Sequence, residues 1–318
     1  MKLSEIRQLM QNLPYPVSAA DQSQRHSLLR QLGIDPGALY QELEMESRFV
    51  DTHQDTSYSN ANVQLHSHAF YELLYCCNTC GAEYLVGTER YRLQKGDIIL
   101  IAPGISHRPM LPEHMAEPYK RYVLWISTEF MALLFQTFPF MQENRPPYSS
   151  LLRTGGTNWE SLGGLFYNGV WESKQRHPGW EAALTGNTIH LLSLLYRAFM
   201  DHSTTPMKAE KPELLDRVLA YVEAHLSEKI TLEEVAHHFF VSQSTISQTF
   251  RQKLGVSFYR CVTQRRLIAA KALIEKGTPL ESVSHQVGFA DYSSFYRAFR
   301  QEYGISPRQY RKLQEETN

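Results

Sequence analysis

Cysteine is scarce, with four in 318 residues. Cys77 and Cys80 make one CxxC, and no second CxxC exists to complete a zinc site. Cys76 and Cys77 end an apolar run, where a buried cysteine acts as a small hydrophobe. No apolar run reaches the roughly 18 residues that a membrane-spanning helix needs. The start, MKLSEIRQLMQNLPYP, is amphipathic and too polar for a signal peptide. A cytoplasmic chain with reduced thiols is therefore expected. Net charge is lacking too: the total is −1. Its distribution is uneven, because residues 229–312 carry 13 Lys and Arg against 6 Asp and Glu. That +7 stretch leaves −8 for the remainder and points to an anionic partner for the basic part.

The chain is long enough for two domains, and apolar residues at 42 % can build ordinary cores. Leu3, Ile6, Leu9, Met10 and Leu13 have helical spacing. Residues 1–62 form an N-terminal extension that ends in a polar stretch, DTHQDTSYSNAN. From Val63 the pattern changes to short strands: VQLHSH, YELLYCC, AEYLVG, ERYRL, DIILIA and RYVLWIS, separated by turn residues. These predict a small antiparallel barrel or sandwich over 63–157. Residues 158–203 predict amphipathic helices that cover the barrel or pair with a second chain, with Leu184, Ile189, Leu191, Leu192, Leu195 and Phe199 as the apolar positions. Residues 204–211 read as a linker, and 212–318 as an all-α domain.

That last domain contains an internal repeat. ITLEEVAHHFFVSQSTISQTFRQKLGVSF can be laid over TPLESVSHQVGFADYSSFYRAFRQEYGISP. Leu232 matches Leu280, Val235 matches Val283 and His237 matches His285; after a one-residue insertion Phe250 matches Phe299 and Gly255 matches Gly304. Thr231 with Glu234, and Thr278 with Glu281, have the spacing of capping boxes, with Pro279 at the first helical position. Ser242 and Asp291 can cap the second helix of each copy, and Gly288 sits in the second break. Two short helices joined by such a turn make a helix-turn-helix. In the first copy Ile246, Phe250 and Leu254 face inward, leaving Ser244, Ser247, Gln248 and Arg251 outward. In the second, Phe295 and Phe299 face inward, leaving Ser293, Ser294, Tyr296, Arg297 and Arg300 outward. Arg265, Arg266 and Lys271 add positive charge between the copies. A major groove accepts an α-helix, and such side chains read base edges or hold phosphates. Arg251, Arg265, Arg266 and Arg300 are the candidate phosphate contacts. The alternative is that these are the solvated faces of an ordinary helical domain.

GFADYSSFYRAFRQEYGISPRQYR at 288–311 resembles the C-terminal signature of the AraC/XylS transcription regulators, and the repeat before it resembles their first helix-turn-helix. The resemblance covers about 210–312. It implies a seven-helix domain with two recognition helices in successive major grooves of double-stranded promoter DNA. By position, the base-contacting residues it implies are Ser244, Ser247 and Gln248, then Ser293, Tyr296 and Arg297. The first set is small and neutral. The N-terminal part resembles, more loosely, the cupin-type sensor of many members. The fold expected is thus α+β and multidomain: a cupin-like β-barrel followed by helices, then an all-α domain with two helix-turn-helix motifs.

One stretch, LHSHAFYELLYCCNTC at 65–80, holds residues of metal-ligand type. On an unbroken strand His66, His68 and Glu72 share a face, and PGISH offers His107 from a later strand. The set resembles the three-His, one-Glu site of cupins, although the spacing around Glu72 and the adjacent Pro103 and Gly104 depart from that pattern. Imidazole and carboxylate suit zinc, iron, nickel or manganese. The same polar groups could line an effector pocket or satisfy one another structurally. The reading is a cytoplasmic, sequence-specific transcription regulator, an activator, that answers a small-molecule effector in the barrel. It needs no cofactor, and its expected partners are DNA, a second copy and RNA polymerase. The alternatives are a metal-dependent cupin enzyme with a DNA-binding tail, and a regulator that takes no ligand.

Overall fold

The structure is a computed structural model that describes residues 45–58 apart from 46, 65–146, 150–201 and 212–317. The helix read over 3–13 and the linker at 204–211 lie outside the described residues. Two compact units emerge. One comprises Met45–Leu219 with Gln252–Gly255, and the other contains Ala220–Arg251 and Val256–Asn318.

The first unit holds eight strands: β1 (Val50–Ser57), β2 (Tyr71–Cys76), β3 (Glu83–Val86), β4 (Glu89–Arg92), β5 (Asp97–Ile101), β6 (His107–Met110), β7 (Tyr119–Ile126) and, beyond helices α1 (Thr128–Thr137) and α2 (Pro139–Glu143), β8 (Ser150–Arg153). They form a five-stranded sheet, β1-β7-β2-β5-β8, and a three-stranded sheet, β4-β3-β6. Every pairing is antiparallel. Helices α3 (Leu162–Gln175) and α4 (Trp180–Met200) follow, as the helical periodicity predicts.

Strand alternation divides the apolar residues of the larger sheet into two cores. Leu73, Ile98, Leu100, Leu124 and Leu152 pack with Phe130, Leu162, Phe166, Leu184, Leu191 and Leu195 from the helices. Leu74, Cys76, Ile99, Ile101, Val123 and Leu151 pack with Tyr84, Val86 and Tyr91 of the smaller sheet. Glu72, two residues before Leu74, therefore faces the smaller sheet.

Three strands depart from the sequence reading. β1 lies within the polar stretch before Val63 and pairs along its length with β7. It ends one side of the sheet, so polar side chains are tolerated, and its buried Thr52 hydroxyl donates to the Val123 carbonyl at 2.7 Å. β6 carries Pro109, which an outer strand can accept because one row of its amides is unpaired. β8 is short and is held by Arg153, which donates to both carboxylate oxygens of its cross-strand partner Asp97 at 2.8 and 3.0 Å. Conversely, the segment VQLHSH forms no strand among its described residues; His66 makes only an isolated bridge to His107.

Helix α5 (Leu214–Ala224) is divided between the units, and its first turn belongs with the strands. Buried Arg90 on β4 meets Glu83 at 2.8 Å, Glu213 at 3.0 Å and buried Asp216 at 3.4 Å.

The second unit contains the paired motifs. Helix α6 (Leu232–His238) and α7 (Gln243–Leu254) form the first copy. After α8 (Phe258–Glu275), α9 (Leu280–Gln286) and α10 (Tyr292–Tyr303) form the second, and α11 (Pro307–Thr317) closes it. Thr231 and Glu234 make the predicted capping box. Ser242 accepts the Thr245 amide at 3.1 Å, and Asp291 accepts the Ser294 amide at 2.7 Å. The capping box expected of Thr278 and Glu281 does not form, because α9 begins one residue later, with Pro279 as its cap. The Thr278 amide instead donates to Leu273, and its carbonyl accepts from Arg311.

The two turns differ in one position. Gly288 adopts the left-handed backbone, φ +82°. At the equivalent place Phe240 adopts φ +55°, and the residue is 93 % exposed. A left-handed conformation costs a side-chain-bearing residue about 1–2 kcal/mol, and glycine gives back part of that gain as unfolded-state entropy. Phe240→Gly is therefore expected to stabilise this unit by up to about 1 kcal/mol in denaturant unfolding, whereas Phe240→Ala should give no such gain.

Candidate nucleic-acid interface and ligand cluster

In α7 the buried residues Ile246 and Phe250 form the inner side, and Ser244, Gln248 and Arg251 are exposed, with Ser247 half-exposed. In α10 Phe295 and Phe299 are buried, Ser293, Arg297 and Arg300 are exposed, and Tyr296 is half-exposed. All six residues named as base contacts thus reach solvent. Ser244 is partly engaged, since its hydroxyl lies 2.7 Å from that of Ser242. The Arg297 guanidinium approaches the Ser294 hydroxyl at 3.4 Å and is otherwise exposed.

Of the four arginines expected to meet phosphates, Arg265 is buried and Arg266 is half-exposed, and both guanidinium groups are engaged within the protein. Arg265 is 2 % exposed, and its guanidinium meets Glu223 at 2.6 Å. Arg266 donates to the carbonyls of Leu226 and Glu228 at 3.1 and 2.6 Å. Lys271 is also buried, with its ammonium over the rings of Tyr303 and Tyr310. α8 is a central helix, and Arg265 and Lys271 on it reach inward. Its Arg260 and Gln264 likewise hold buried Glu302 of α10. Arg251 and Arg300 remain as exposed cations on the two outer faces.

The sequence-predicted cluster in the barrel does assemble, by a different route from the one expected. The chain between His68 and Tyr71 is not a strand, so simple alternation does not align His66, His68 and Glu72. The backbone bridge His66–His107 brings the two flanking segments together instead. His68 Nε2 lies 3.5 Å and His107 Nε2 2.9 Å from the same oxygen, Glu72 Oε2. His66 contributes a ring whose centroid is 4.2 Å from that of His107. His68, Glu72 and His107 are all buried, and His66 is half-buried.

Each partner atom of the cluster is oriented by a neighbour. His68 Nδ1–H donates to the Phe70 carbonyl at 2.9 Å, and its ring stacks on Phe70. His107 Nδ1–H donates to the Ile105 carbonyl at 2.8 Å. Carbonyls cannot donate, so both rings carry their hydrogen on Nδ1 and, when neutral, present a lone pair at Nε2. Trp125 stands directly opposite Glu72 in the β2–β7 register and donates its indole N–H to Oε1 at 2.8 Å. Burial holds the His68 imidazole below its ordinary pKa, against the pull of Glu72. Burial pushes the Glu72 carboxyl up, but a proton on His107 or His68 beside it holds it well below the usual carboxylate range. Trp125 and Phe70 did not emerge from the sequence. An inward tryptophan on an apolar strand has no distinctive spacing, and only the register reveals its partner.

The cysteines stand apart from this cluster. Cys76 is packed in the core between the sheets, Cys77 and Cys80 are half-buried, and all are free thiols. Burial pushes the Cys77 thiol up to about 11, which disfavours the thiolate needed for metal or redox work.

Comparisons with known proteins match both parts of the chain. Residues 235–313 match the model of a helix-turn-helix domain, and 52–152 match that of an AraC-like ligand-binding domain. The chain is 28 % identical over 255 residues to the HTH-type transcriptional activator RhaS of Salmonella arizonae, spanning 78 % of this chain and 87 % of that protein. It is 39 % identical over 104 residues to a probable transcriptional regulator, LumQ, of Photobacterium leiognathi; that match spans 32 % of this chain and 42 % of LumQ. Among solved structures, the C-terminal domain of AraT, a response regulator from Geobacillus stearothermophilus, is similar at 33 % identity over 31 % of this chain and 84 % of that one, with a TM-score of 0.31. The chain belongs to the AraC family of transcription regulators, with a helix-turn-helix DNA-binding domain and an AraC-like ligand-binding domain. No described helix is long and apolar enough to cross a membrane.

Proposed function

We propose that this protein is a sequence-specific, DNA-binding transcriptional activator whose barrel binds a small-molecule effector. The observation that carries the reading is the repeated motif: each second helix buries its apolar side and leaves Ser, Gln, Tyr or Arg outward. The activator RhaS, similar over most of the chain, supports the sign of regulation. Ser244, Ser247 and Gln248, with Ser293, Tyr296 and Arg297, are the base-reading residues, and Arg251 and Arg300 are phosphate contacts. The protein acts in the cytoplasm as a homodimer that engages RNA polymerase, and it catalyses no reaction. Effector binding shifts regulation only through unequal affinity for two arrangements of the protein.

The test is a pair of substitutions. Arg297→Ala should relax specificity at one or two base pairs and cost on the order of 1–3 kcal/mol on the cognate site. Arg300→Ala should weaken all sequences alike and reduce the salt dependence of binding by about one phosphate contact. Binding measured across a set of single-base operator variants and salt concentrations checks both. Equal weakening of every sequence by Arg297→Ala would remove it from the base-reading set.

A further inference from the structure

The cluster in the barrel presents an excess of acceptors. The Nδ1 hydrogens of His68 and His107 are committed to carbonyls, so both Nε2 atoms face Glu72 Oε2 as lone pairs. Glu72 Oε1 is already occupied by Trp125, which leaves Oε2 with no donor of its own. Among the described residues His68 Nε2, His107 Nε2 and Glu72 Oε2 all lack a hydrogen-bond partner, although each belongs to a buried side chain. Ligand atoms of His66, Glu72 and His107 lie within 4.8 Å of one another, and His68 Nε2 joins them through Glu72 Oε2 at 3.5 Å.

A single proton can join only one imidazole to the carboxylate. It leaves the other Nε2 buried and unpaired, at 3.5 or 2.9 Å from an oxygen that is already engaged. A divalent cation accepts all of these lone pairs at once. The surroundings fit that role, because a metal-bound histidine almost always donates its other ring hydrogen to a carbonyl or carboxylate, which fixes its orientation. Nitrogen and carboxylate donors without thiolate select borderline first-row ions over magnesium or calcium, which prefer oxygen.

We propose that His66, His68, Glu72 and His107 bind one divalent first-row transition-metal ion inside the barrel. This deepens the reading of the barrel as a ligand-binding domain: the ligand, or the group that anchors it, is a metal ion. His66 is the half-buried member and marks the side from which the ion enters.

The test uses the full-length chain, stripped of metal with a chelator and titrated with Co(II). The expected result is one ion per chain and visible ligand-field absorption without thiolate charge-transfer bands. Glu72→Gln and His107→Ala should each weaken binding by at least tenfold, while Cys77→Ser leaves it unchanged. Circular dichroism of the metal-free variants checks that they are folded. If His107→Ala does not fold, the half-buried His66→Ala supplies the same comparison. A folded wild-type chain that takes up no Co(II), variants that bind as tightly as wild type, or thiolate charge-transfer bands would each overturn the site. Operator affinity measured on the same samples separates the two readings. Stoichiometric Co(II) with unchanged operator affinity supports the metal site and counts against metal as the effector. No Co(II) uptake in a protein whose operator binding still answers an organic ligand overturns the metal site alone.

Discussion

Gly288→Ala is expected to destabilise the second helix-turn-helix by roughly 2–4 kcal/mol, combining left-handed strain with a steric clash. A β-carbon at this position would lie 2.1 Å from the Leu226 carbonyl oxygen and 2.9 Å from an Arg266 guanidinium nitrogen. The carbonyl belongs to the backbone and cannot swing aside. Arg266 is itself tied to that carbonyl and to Glu228, so the substitution also breaks the contact between α8 and the segment after α5. Denaturant unfolding of the full chain should show the loss in the transition of this unit, and operator binding should fall with the folded fraction. Gly288→Ala with wild-type unfolding would mean that the turn backs away from Leu226 at no cost.

Arg90→Ala should have a comparable effect on the barrel unit, on the order of 3–5 kcal/mol, because it strands a buried carboxylate. Asp216 is 4 % exposed and has Arg90 as its cation, and Glu83 loses the same partner. Glu213 is half-exposed and can turn to water or to Lys253, so it adds little to the penalty. For a unit of this size the loss corresponds to a fall in Tm on the order of 10 °C. Adding Asp216→Asn to Arg90→Ala should recover part of it, since an amide is cheaper to bury than an unpaired charge. Failure of the second change to rescue would show that the damage comes from lost packing around the arginine stem.

The parts legible in the sequence are those encoded by neighbours in the chain. Thr231 and Glu234 announce a helix start within four residues, and Ile246, Phe250, Phe295 and Phe299 announce inner faces at helical spacing. The strands β2, β3, β5 and β7 were visible because each carries a run of apolar residues. β1 was not, since Asp, His, Gln and Ser dominate it and its membership depends on pairing with β7 some seventy residues later. Arg265 shows the same limit. A cation between two motifs looks like a phosphate contact until the side of α8 that faces its neighbours is known. The His and Glu residues were legible by type, but the means of bringing them together was not: it is the bridge to His107 rather than an unbroken strand.

The cross-strand pair of Trp125 and Glu72 has an optical consequence. The indole N–H lies 2.8 Å from the carboxylate at the centre of the cluster, and any change of charge on that carboxylate alters the field along the ring. The chain has three other tryptophans, Trp159, Trp171 and Trp180, all in the helical segment after the strands. Replacing those three by Phe would leave Trp125 as the sole long-wavelength emitter. The protein would then carry a built-in fluorescent gauge of its own cluster, responding to occupancy directly and at concentrations far below those that calorimetry requires.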